Sequence, residues 1–508
     1  MRKLFAGRID KFYKDSFILT MSNMATGMIS FVFSILLSRK LGAEGLGLYG
    51  LVMPVYGLLL CITSDGLVTA ISKISTLYLN RGELRNLYRT LSTTFLFVAS
   101  WAFSVAFLVL ACHNVIALHI VRDARASGAI MMLSAALVFV PLSAIIKGYF
   151  YGLGKYSVTS SIDIMEKFLR VAILLGVISL VAPYDVGETV TIAYLALAVG
   201  ELASFLALFT CYKIQKAKLS GNRGKSKSRI QLIFDVFVIS VPLCVNGVLS
   251  SVISTVSSLM LPRRLVAAGF TYGEALALIG RFGGMALNIA TLPYIIISSM
   301  LTVLVPDLSL NISKKDYWAA GERIAQVLGI ACRVGISTAL VCLLVPDELG
   351  FVFYRRTDLG AMIRFSAPIC LAVFVSSPTF GILNALGKQN ILLKNSLFNS
   401  LQNLLLVFML AGIPALNVYG LGISIIITSV TSLFLNLKEI KKICDIMLDY
   451  NDIIILLLSG AAGWVASGFA LSLFKHAPLA TRLVVTVAAG FSSVFGFSHI
   501  ASGFKKEH

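Results

Sequence analysis

The sequence predicts an all-α polytopic membrane protein with about 14 transmembrane helices. Of its 508 residues 57% are apolar and only 13% are charged, and the mean hydropathy is +0.88. A soluble protein carries about 25% charged residues, so a soluble globular enzyme is excluded. Apolar stretches of about 20 residues recur along the chain, and each is far too long for a strand of a membrane β-barrel.

The first apolar stretch, residues 17–37, follows a basic N-terminus and is too long for a signal peptide, so it predicts an uncleaved helix. The other stretches share the length of a membrane-spanning helix and few charges. They lie at 47–72, 90–112, 128–152, 159–182, 189–212, 233–261, 277–305, 324–346, 361–386, 391–413, 418–436, 453–474 and 481–503.

The formal net charge is +19, and its distribution predicts the orientation. If the N-terminus is cytoplasmic, about 27 of the 43 Lys and Arg residues fall on the cytoplasmic side and about 10 on the other. This bias predicts that both termini are cytoplasmic and that the chain is a multi-pass protein of the cell membrane. The basic segment 213–231 lacks interleaved aromatic residues, so we expect it to lie on anionic membrane lipids and not on nucleic acid.

Segment 213–231 also divides six predicted helices from eight. LSRKLGA at 37–43 and LPRRLVA at 261–267 follow the first and seventh stretches, and GYFYGLGK at 148–155 and GILNALGK at 381–388 close the fourth and tenth. These matches predict a repeat of two six-helix bundles, with a substrate site between them near the membrane midplane.

The predicted organisation therefore has four parts. An N-lobe of helices 1–6 covers 1–212, the basic cytoplasmic linker covers 213–231, and a C-lobe of helices 7–12 covers 232–445. Helices 13–14 and a short cytoplasmic tail cover 446–508.

Cofactor motifs are absent from the sequence. No GxxxxGK[ST] phosphate loop occurs, the eight Cys residues form no CxxC pair, and the five His residues show no metal-ligand spacing. We therefore expect a transporter and not an enzyme, with no metal and no cofactor. Transport is then passive, or coupled to Na⁺, H⁺ or the membrane potential, or powered by a partner.

Three segments carry a resemblance to a known family. They are LGAEGLGLY at 41–49, KGYF at 147–150 with EKFLRV at 166–171, and GGMAL at 283–287 with Leu292-Pro293. In these segments the chain resembles the polysaccharide-type flippases of the MATE-like (MOP) superfamily. Within it the chain resembles the stage V sporulation protein B group, which is related to the MurJ and Wzx flippases. Asp65 departs from the pattern, which has a small neutral residue there.

The resemblance implies MATE-like V-shaped lobes and a substrate class. The expected substrate is a polyprenyl-pyrophosphate-linked saccharide, above all a lipid II-type peptidoglycan precursor for spore cortex or cell wall, moved from the inner to the outer leaflet by alternating access. Cell-wall synthases are possible partners on this interpretation. The alternatives are a flippase for another polysaccharide or teichoic acid unit, an ion-coupled exporter of small molecules or drugs, and a non-transporting scaffold.

Charges within spans are functional candidates because they are costly in a bilayer. Asp163, Glu166 and Arg170 lie on one helical face, at i, i+3 and i+7. The resemblance implies that Arg170 contacts the pyrophosphate, with Glu166 holding its geometry or taking a coupling cation. The alternative is a structural Glu166–Arg170 pair, and Lys167 is placed to pair with Asp163.

Four further charged residues are candidates for the same site. Lys147 either receives the pyrophosphate or extends its amine to the interface, and Arg281 either guides the headgroup outward or anchors its helix. Asp65 either binds an ion or pairs with Lys147 or Lys167. Glu201 has no neighbouring cation in the sequence, so it is either protonated or paired across helices.

Overall fold

The computed structural model describes residues 2–181, 185–218, 227–313, 315–444 and 450–506. Every regular element within these ranges is helical. The fold class predicted from hydropathy is therefore confirmed. Residues 219–226 of the predicted linker, and residues 446–449 and 507–508 of the predicted C-terminal part, lie outside the described residues.

Seven long helices begin in the first half of the chain. They are α1 (Arg2–Ser64), α2 (Leu67–Asn80), α3 (Leu84–Ala111), α4 (Ser127–Gly152), α5 (Tyr156–Val181), α6 (Val186–Lys218) and α7 (Arg229–Ala267). Between α3 and α4 lie three short pieces, a helical turn at His113–Val115, a π-helical segment at Ile116–Val121 and a 3₁₀ turn at Ala124–Ala126.

The second half contains nine further helices within the described ranges. They are α8 (Tyr272–Ile279), α9 (Tyr294–Ser313), α10 (Tyr317–Leu344), α11 (Pro346–Tyr354), α12 (Gly360–Ala385), α13 (Gln389–Leu410), α14 (Tyr419–Lys441), α15 (Tyr450–Leu473) and α16 (Leu479–Lys506). A π-helical segment, Gly280–Ala286, and a short helix, Leu287–Thr291, connect α8 to α9.

Ten helices of the described chain are long and apolar enough to cross a membrane, or eleven if a bent pair counts as one span. One of the ten segments, Thr20–Asn80, has 61 residues, or about 90 Å of helix at 1.5 Å per residue. This is about three times the ~30 Å of a bilayer core. The chain is thus a multi-pass membrane protein, and the count of fourteen spans and the cytoplasmic termini stay predictions.

The first two predicted stretches are joined without a loop. Within α1, two helices that cover the two stretches meet at a kink, and the single residue there with non-helical backbone angles is Gly42 (φ 69°, ψ −172°). A residue with a side chain is strained at this positive φ, so glycine allows the chain to turn within one residue.

The eighth predicted stretch, 277–305, is wrong as a single continuous helix. The segments Tyr272–Thr291 and Tyr294–Leu301 are bent by 60° relative to each other. Pro293 lies at the break, and a proline has no N–H for the helix and restricts the residue before it. The helix also begins earlier than predicted, because Thr271 and Glu274 form a reciprocal capping box at the start of α8.

By packing, the chain divides into two compact units, Met1–Leu259 and Met260–His508. The boundary lies inside α7, whereas the prediction from composition and repeats placed it in the basic linker. Packing and sequence repetition measure different properties of the chain, so the predicted four-part organisation stays a prediction.

In the C-terminal unit, α15 and α16 pack against each other and on the helices before them. A Cβ at Gly463 would lie 2.7 Å from Val494 and 2.8 Å from Leu340, so the glycine permits this close approach. Arg482 on α16 forms an ion pair with Glu348 of α11 at 2.9 Å. The C-terminal helices α15 and α16 are therefore held within their unit by packing and by one partly buried charge pair.

In the N-terminal unit, the break between α1 and α2 packs closely on α7. Gly66 caps α2 with φ 76°, and a Cβ there would lie 2.7 Å from the carbonyl oxygen of Ser240. Farther along α7, Thr255 donates a hydrogen bond to the carbonyl of Pro54 at 3.0 Å. Small and hydroxylated residues thus allow α7 to approach the backbone of α1 and α2.

We predict that Gly66→Ala destabilises the protein. The added methyl group meets the backbone of α7 and forces a positive φ on a residue with a side chain, a strain of about 1–3 kcal/mol. Thermal unfolding of the purified protein in detergent measures it. Gly176→Ala is the matched control, because a Cβ at this position of α5 would enter open space, with no atom within 4 Å. Equal melting temperatures for both variants would contradict the close approach.

Candidate functional site

The charged residues of α5 lie on the face that packs into the N-terminal unit. Buried residues recur along this helix about every four positions, at Ile162, Glu166, Arg170, Leu174 and Ile178. This is the spacing of one helical face. The predicted alignment of Glu166 with Arg170 is what the structure shows. Arg170 is about 21 Å along α5 from its first residue at 1.5 Å per residue.

Two carboxylates hold Arg170. Its Nη2 lies 2.5 Å from Oε1 of Glu166 and 3.2 Å from Oε1 of Glu201 on α6. The side chains of Glu166 and Arg170 are only 5% and 11% exposed, and that of Glu201 is 18% exposed. Glu201, which has no neighbouring cation in the sequence, is therefore paired across helices, as one of the two alternatives predicted.

The two lysines pair differently from the prediction. Lys167 contacts Glu166 at 3.0 Å, and Asp163 contacts Lys147 of α4 at 2.7 Å. The predicted Asp163–Lys167 pair is wrong because α4 brings Lys147 against the first turns of α5. Glu166 consequently has two cationic neighbours, Lys167 and Arg170.

Gly200 allows Glu166 to lie against α6. A Cβ at this position would lie 3.0 Å from Oε1 of Glu166 and 3.7 Å from Cβ of Arg170. Because Gly200 directly precedes Glu201, one turn of α6 provides both the space for the ion pair and its second acceptor. Sequence reasoning missed Gly200, and the signal was a glycine adjacent to a lone intramembrane acid.

A cavity of about 400 Å³ lies beside this ion-pair cluster. Its charged lining residues are Asp65, Lys147 and Glu201, and hydroxyl groups of Ser64, Thr69 and Ser143 line it as well. Glu201 therefore both lines the cavity and forms an ion pair with Arg170. The cavity lies within the range of small-molecule binding sites, about 300–1,000 Å³.

Asp65 lies at the break between α1 and α2. Its Oδ1 accepts a hydrogen bond from the backbone N–H of Gly66 at 2.9 Å. Its other carboxylate oxygen lies against Gly247 of α7, where a Cβ would overlap it. Lys147 pairs with Asp163, and Lys167 pairs with Glu166. The predicted pairing of Asp65 with either lysine is therefore not what the structure shows.

The cluster and cavity wall together contain three basic and four acidic side chains among the described residues. The basic residues are Lys147, Lys167 and Arg170, and the acidic residues are Asp65, Asp163, Glu166 and Glu201. The basic groups are therefore already neutralised by partners of the same unit. An incoming anion has to replace one of these partners.

Two tyrosines missed by the sequence reasoning also lie near Arg170. Tyr49 and Tyr56 of α1 are within electrostatic reach of its guanidinium, and Tyr194 of α6 donates a hydrogen bond to the carbonyl of Tyr49 at 2.9 Å. Tyr49 belongs to the LGAEGLGLY segment. That segment therefore provides part of the surroundings of the charge cluster in addition to the turn at Gly42.

Arg281 lies in the C-terminal unit, within the π-helical segment after α8. Its Nη1 contacts Asp358 at 3.1 Å, and Arg356 contacts the same carboxylate at 2.7 Å. The hydrogen bond from Arg356 holds the pKa of Asp358 below its ordinary value. Arg281 is therefore a member of a partly exposed ion-pair network in the segment before α12.

This combination defines a class of protein. Many apolar helices, charges buried within the spans and a polar cavity beside them are typical of a membrane transporter. Residues 12–312 match the family model described as polysaccharide biosynthesis protein. The match covers more than half of the chain, and the chain belongs to this family.

Relatives from Bacillus subtilis (strain 168) are similar over most of their length. Stage V sporulation protein B is 26% identical over 445 residues, which cover 87% of this chain and 86% of the relative. Lipid II flippase MurJ is 20% identical over 535 aligned positions, which cover 97% of this chain and 95% of the relative. The resemblance stated from the sequence motifs is therefore confirmed.

Solved structures show the same fold. "Lipid II flippase MurJ, inward closed conformation" matches with a TM-score of 0.68 at 13% identity, covering 96% of this chain and 98% of the other. An inward-facing multidrug resistance MATE family transporter of the MOP superfamily matches with a TM-score of 0.63, also at 13% identity, covering 84% and 98%. The predicted MATE-like architecture is confirmed at the level of the fold.

We predict that Glu166→Gln strongly destabilises the protein, because it leaves Arg170 and Lys167 without their shared buried carboxylate. Breaking such a pair costs about 3–5 kcal/mol. Glu439→Gln is the matched control, since Glu439 pairs with a lysine that is 60% exposed, and exposed pairs contribute about 1 kcal/mol or less. Thermal unfolding in one detergent compares the two. A smaller loss for Glu166→Gln than for the control would refute the stabilising role of the cluster.

Proposed function

We propose that this chain is a flippase that moves a polyprenyl-pyrophosphate-linked saccharide, specifically a lipid II-type peptidoglycan precursor, from the inner to the outer leaflet by alternating access. The family, with its description in polysaccharide biosynthesis, and the names of the two relatives support the substrate class. The observation that carries the proposal is the polar cavity whose wall residue Glu201 also holds Arg170.

The proposed headgroup contact is an exchange of anions at Arg170. Of the two carboxylates on this guanidinium, Glu201 makes the longer contact and is the more exposed to the cavity. A pyrophosphate entering the cavity replaces Glu201 and keeps Glu166 as the permanent partner. A guanidinium matches phosphate oxygens with two parallel N–H donors, so the exchange preserves its hydrogen bonds.

The displaced Glu201 then needs a new counter-charge or a proton. In the proposed cycle it takes a cation or H⁺ from the cavity while the headgroup is bound, and it returns to Arg170 when the headgroup leaves. In this cycle the cation moves outward with the headgroup and offsets part of its negative charge, so the exchange makes the transport rate depend on the cation concentration on the inner side and on the membrane potential. The polyprenyl tail stays in the lipid phase, because only the polar headgroup requires a hydrated path across about 30 Å of hydrocarbon.

An ion-coupled exporter of cationic small molecules is the second candidate. The excess of one acidic side chain in the cluster favours it, because a cavity that contains Asp65 and Glu201 attracts cations. The two functions predict opposite preferences for substrate charge. Transport assays with a lipid-linked saccharide and with a cationic dye therefore distinguish them.

We predict that the purified protein in liposomes translocates labelled lipid II and that Arg170→Gln reduces the rate at least about tenfold, the loss of one charge-assisted contact. Arg170→Lys keeps the charge but lacks the forked donor pair, so we expect an intermediate rate. Accessibility of the label to an added enzyme or quencher measures the movement, with and without a membrane potential.

Two controls separate this role from a structural one. Glu166→Gln/Arg170→Gln removes one charge of each sign, so the net charge of the cluster is unchanged, while Lys167 and Glu201 each lose one partner. Its melting temperature is therefore measured first, and the folded variant is expected to fail to transport. Arg364→Gln removes an arginine whose side chain is 58% exposed and whose acidic partner lies 3.5 Å away, and we expect an unchanged rate. Export of a cationic dye by folded wild-type protein that moves no lipid-linked saccharide would replace the proposal with the second candidate.

We predict that Glu201→Gln binds the headgroup about three- to tenfold more tightly, because the competing carboxylate on Arg170 loses its charge. Its transport rate should also lose its dependence on the imposed gradient. Titration with a soluble sugar pyrophosphate and transport at several potentials measure the two effects. Weaker binding, or an unchanged gradient dependence, would show that Glu201 does not compete with the substrate.

A further inference from the structure

A second cavity of the N-terminal unit is separate from the polar one and shares none of its lining residues. It has a volume of about 460 Å³ and lies between α3, α4, α6 and the first residue of α7. Its walls include the aromatic rings of Phe95, Tyr149, Phe209 and Tyr212. The proposed flippase mechanism does not use it.

Ring contacts hold the aromatic wall together. The ring centroids of Tyr149 and Tyr212 are 5.3 Å apart, those of Phe95 and Phe209 are 6.2 Å apart, and those of Phe209 and Tyr212 are 6.3 Å apart. These separations are within the range of favourable aromatic pairs. Leu96, another wall residue, is 70% exposed. The wall is therefore a packed apolar surface, part of which is exposed at the outside of the N-terminal unit.

Two cations lie at one end of this cavity. Lys216 is in the last turn of α6 and Arg229 is the first residue of α7, and both side chains are exposed. The amine of Lys216 also lies 5.2 Å from the ring centroid of Tyr88. The cavity has no acidic residue among its described lining residues. Its polar end is thus positively charged, in contrast to the neutralised cluster around Arg170.

We propose that this cavity binds an anionic glycerophospholipid of the surrounding bilayer. The phosphate of the lipid lies between Lys216 and Arg229 at the helix ends, and one acyl chain lies against the aromatic wall. Basic groups at the ends of spanning helices recognise lipid phosphates, and aromatic residues concentrate at the same level of the membrane. The separation of apolar wall and cationic end matches the two parts of such a lipid.

Charge and position favour a phospholipid over other occupants. A soluble anion would leave the apolar wall uncovered, and a lipid without net negative charge would provide no counter-charge for Lys216 and Arg229. The bound lipid would contact both the end of α6 and the start of α7. It would thereby stabilise the N-terminal unit without entering the polar cavity.

The test is native mass spectrometry of the full-length protein released from detergent with phosphatidylglycerol or phosphatidylcholine of identical acyl chains. We expect the wild type to retain phosphatidylglycerol in preference to phosphatidylcholine. Lys216→Gln/Arg229→Gln should weaken that retention roughly 30-fold, the effect of two basic residues near an anionic surface. Lys216→Arg/Arg229→Lys keeps both charges and should retain the lipid.

The matched control is Lys438→Gln/Lys441→Gln, which removes two exposed lysines from the last turn of α14 in the other unit. It should retain phosphatidylglycerol like the wild type. Added phosphatidylglycerol should also raise the melting temperature of the wild type and of the control, but not that of Lys216→Gln/Arg229→Gln. Equal retention of both lipids by the wild type, or an equal loss in the control, would overturn the proposal. Preferential retention of a polyprenyl phosphate would overturn it as well and assign the cavity to a different lipid.

Discussion

A buried guanidinium needs a counter-charge, and the packing of α5 on α6 provides Arg170 with two. An isolated arginine at the centre of a spanning helix costs about 2.5–3.5 kcal/mol on insertion scales. Glu166 on the same helix and Glu201 on the next one compensate this charge at 2.5 and 3.2 Å. The close approach that this geometry requires depends on Gly200, whose missing side chain leaves room for the Glu166 carboxylate.

The part of this site that lies within one helix was predictable from the sequence. Positions 163, 166 and 170 share a helical face because of the helical period alone, and the burial of Glu166 and Arg170 follows from the cost of exposing charge to lipid. The partners across helices were not predictable in the same way. Whether Lys147 contacts Asp163 or Asp65 depends on the rotation and depth of α4 against α5, and hydropathy contains no information on either.

The breaks in the helices also could not be predicted from hydropathy. The stretches that hydropathy identified lie in helices of the structure, because the free energy of transferring apolar side chains into lipid depends on composition and not on backbone angles. Hydropathy did not distinguish a continuous span from one bent by 60° at Pro293, or a loop from the single non-helical residue Gly42. Both positions are explained by local stereochemistry, since proline lacks the N–H that a helix requires and glycine tolerates a positive φ.

The neutralised state of the cluster bears on how an anion carrier can avoid trapping its cargo. Three unpaired cations in a low-dielectric cavity would bind a pyrophosphate too tightly to release it, because electrostatic attraction is strong where water is excluded. When arginine and lysine groups already contact carboxylates, an incoming anion gains only the difference between its own interaction energy and that of the carboxylate it replaces. Under the proposed mechanism, substrate affinity depends on how readily Glu201 leaves Arg170, and a cation or proton that binds Glu201 shifts this equilibrium. A site built from exchangeable ion pairs can thus bind the headgroup on one side and release it on the other.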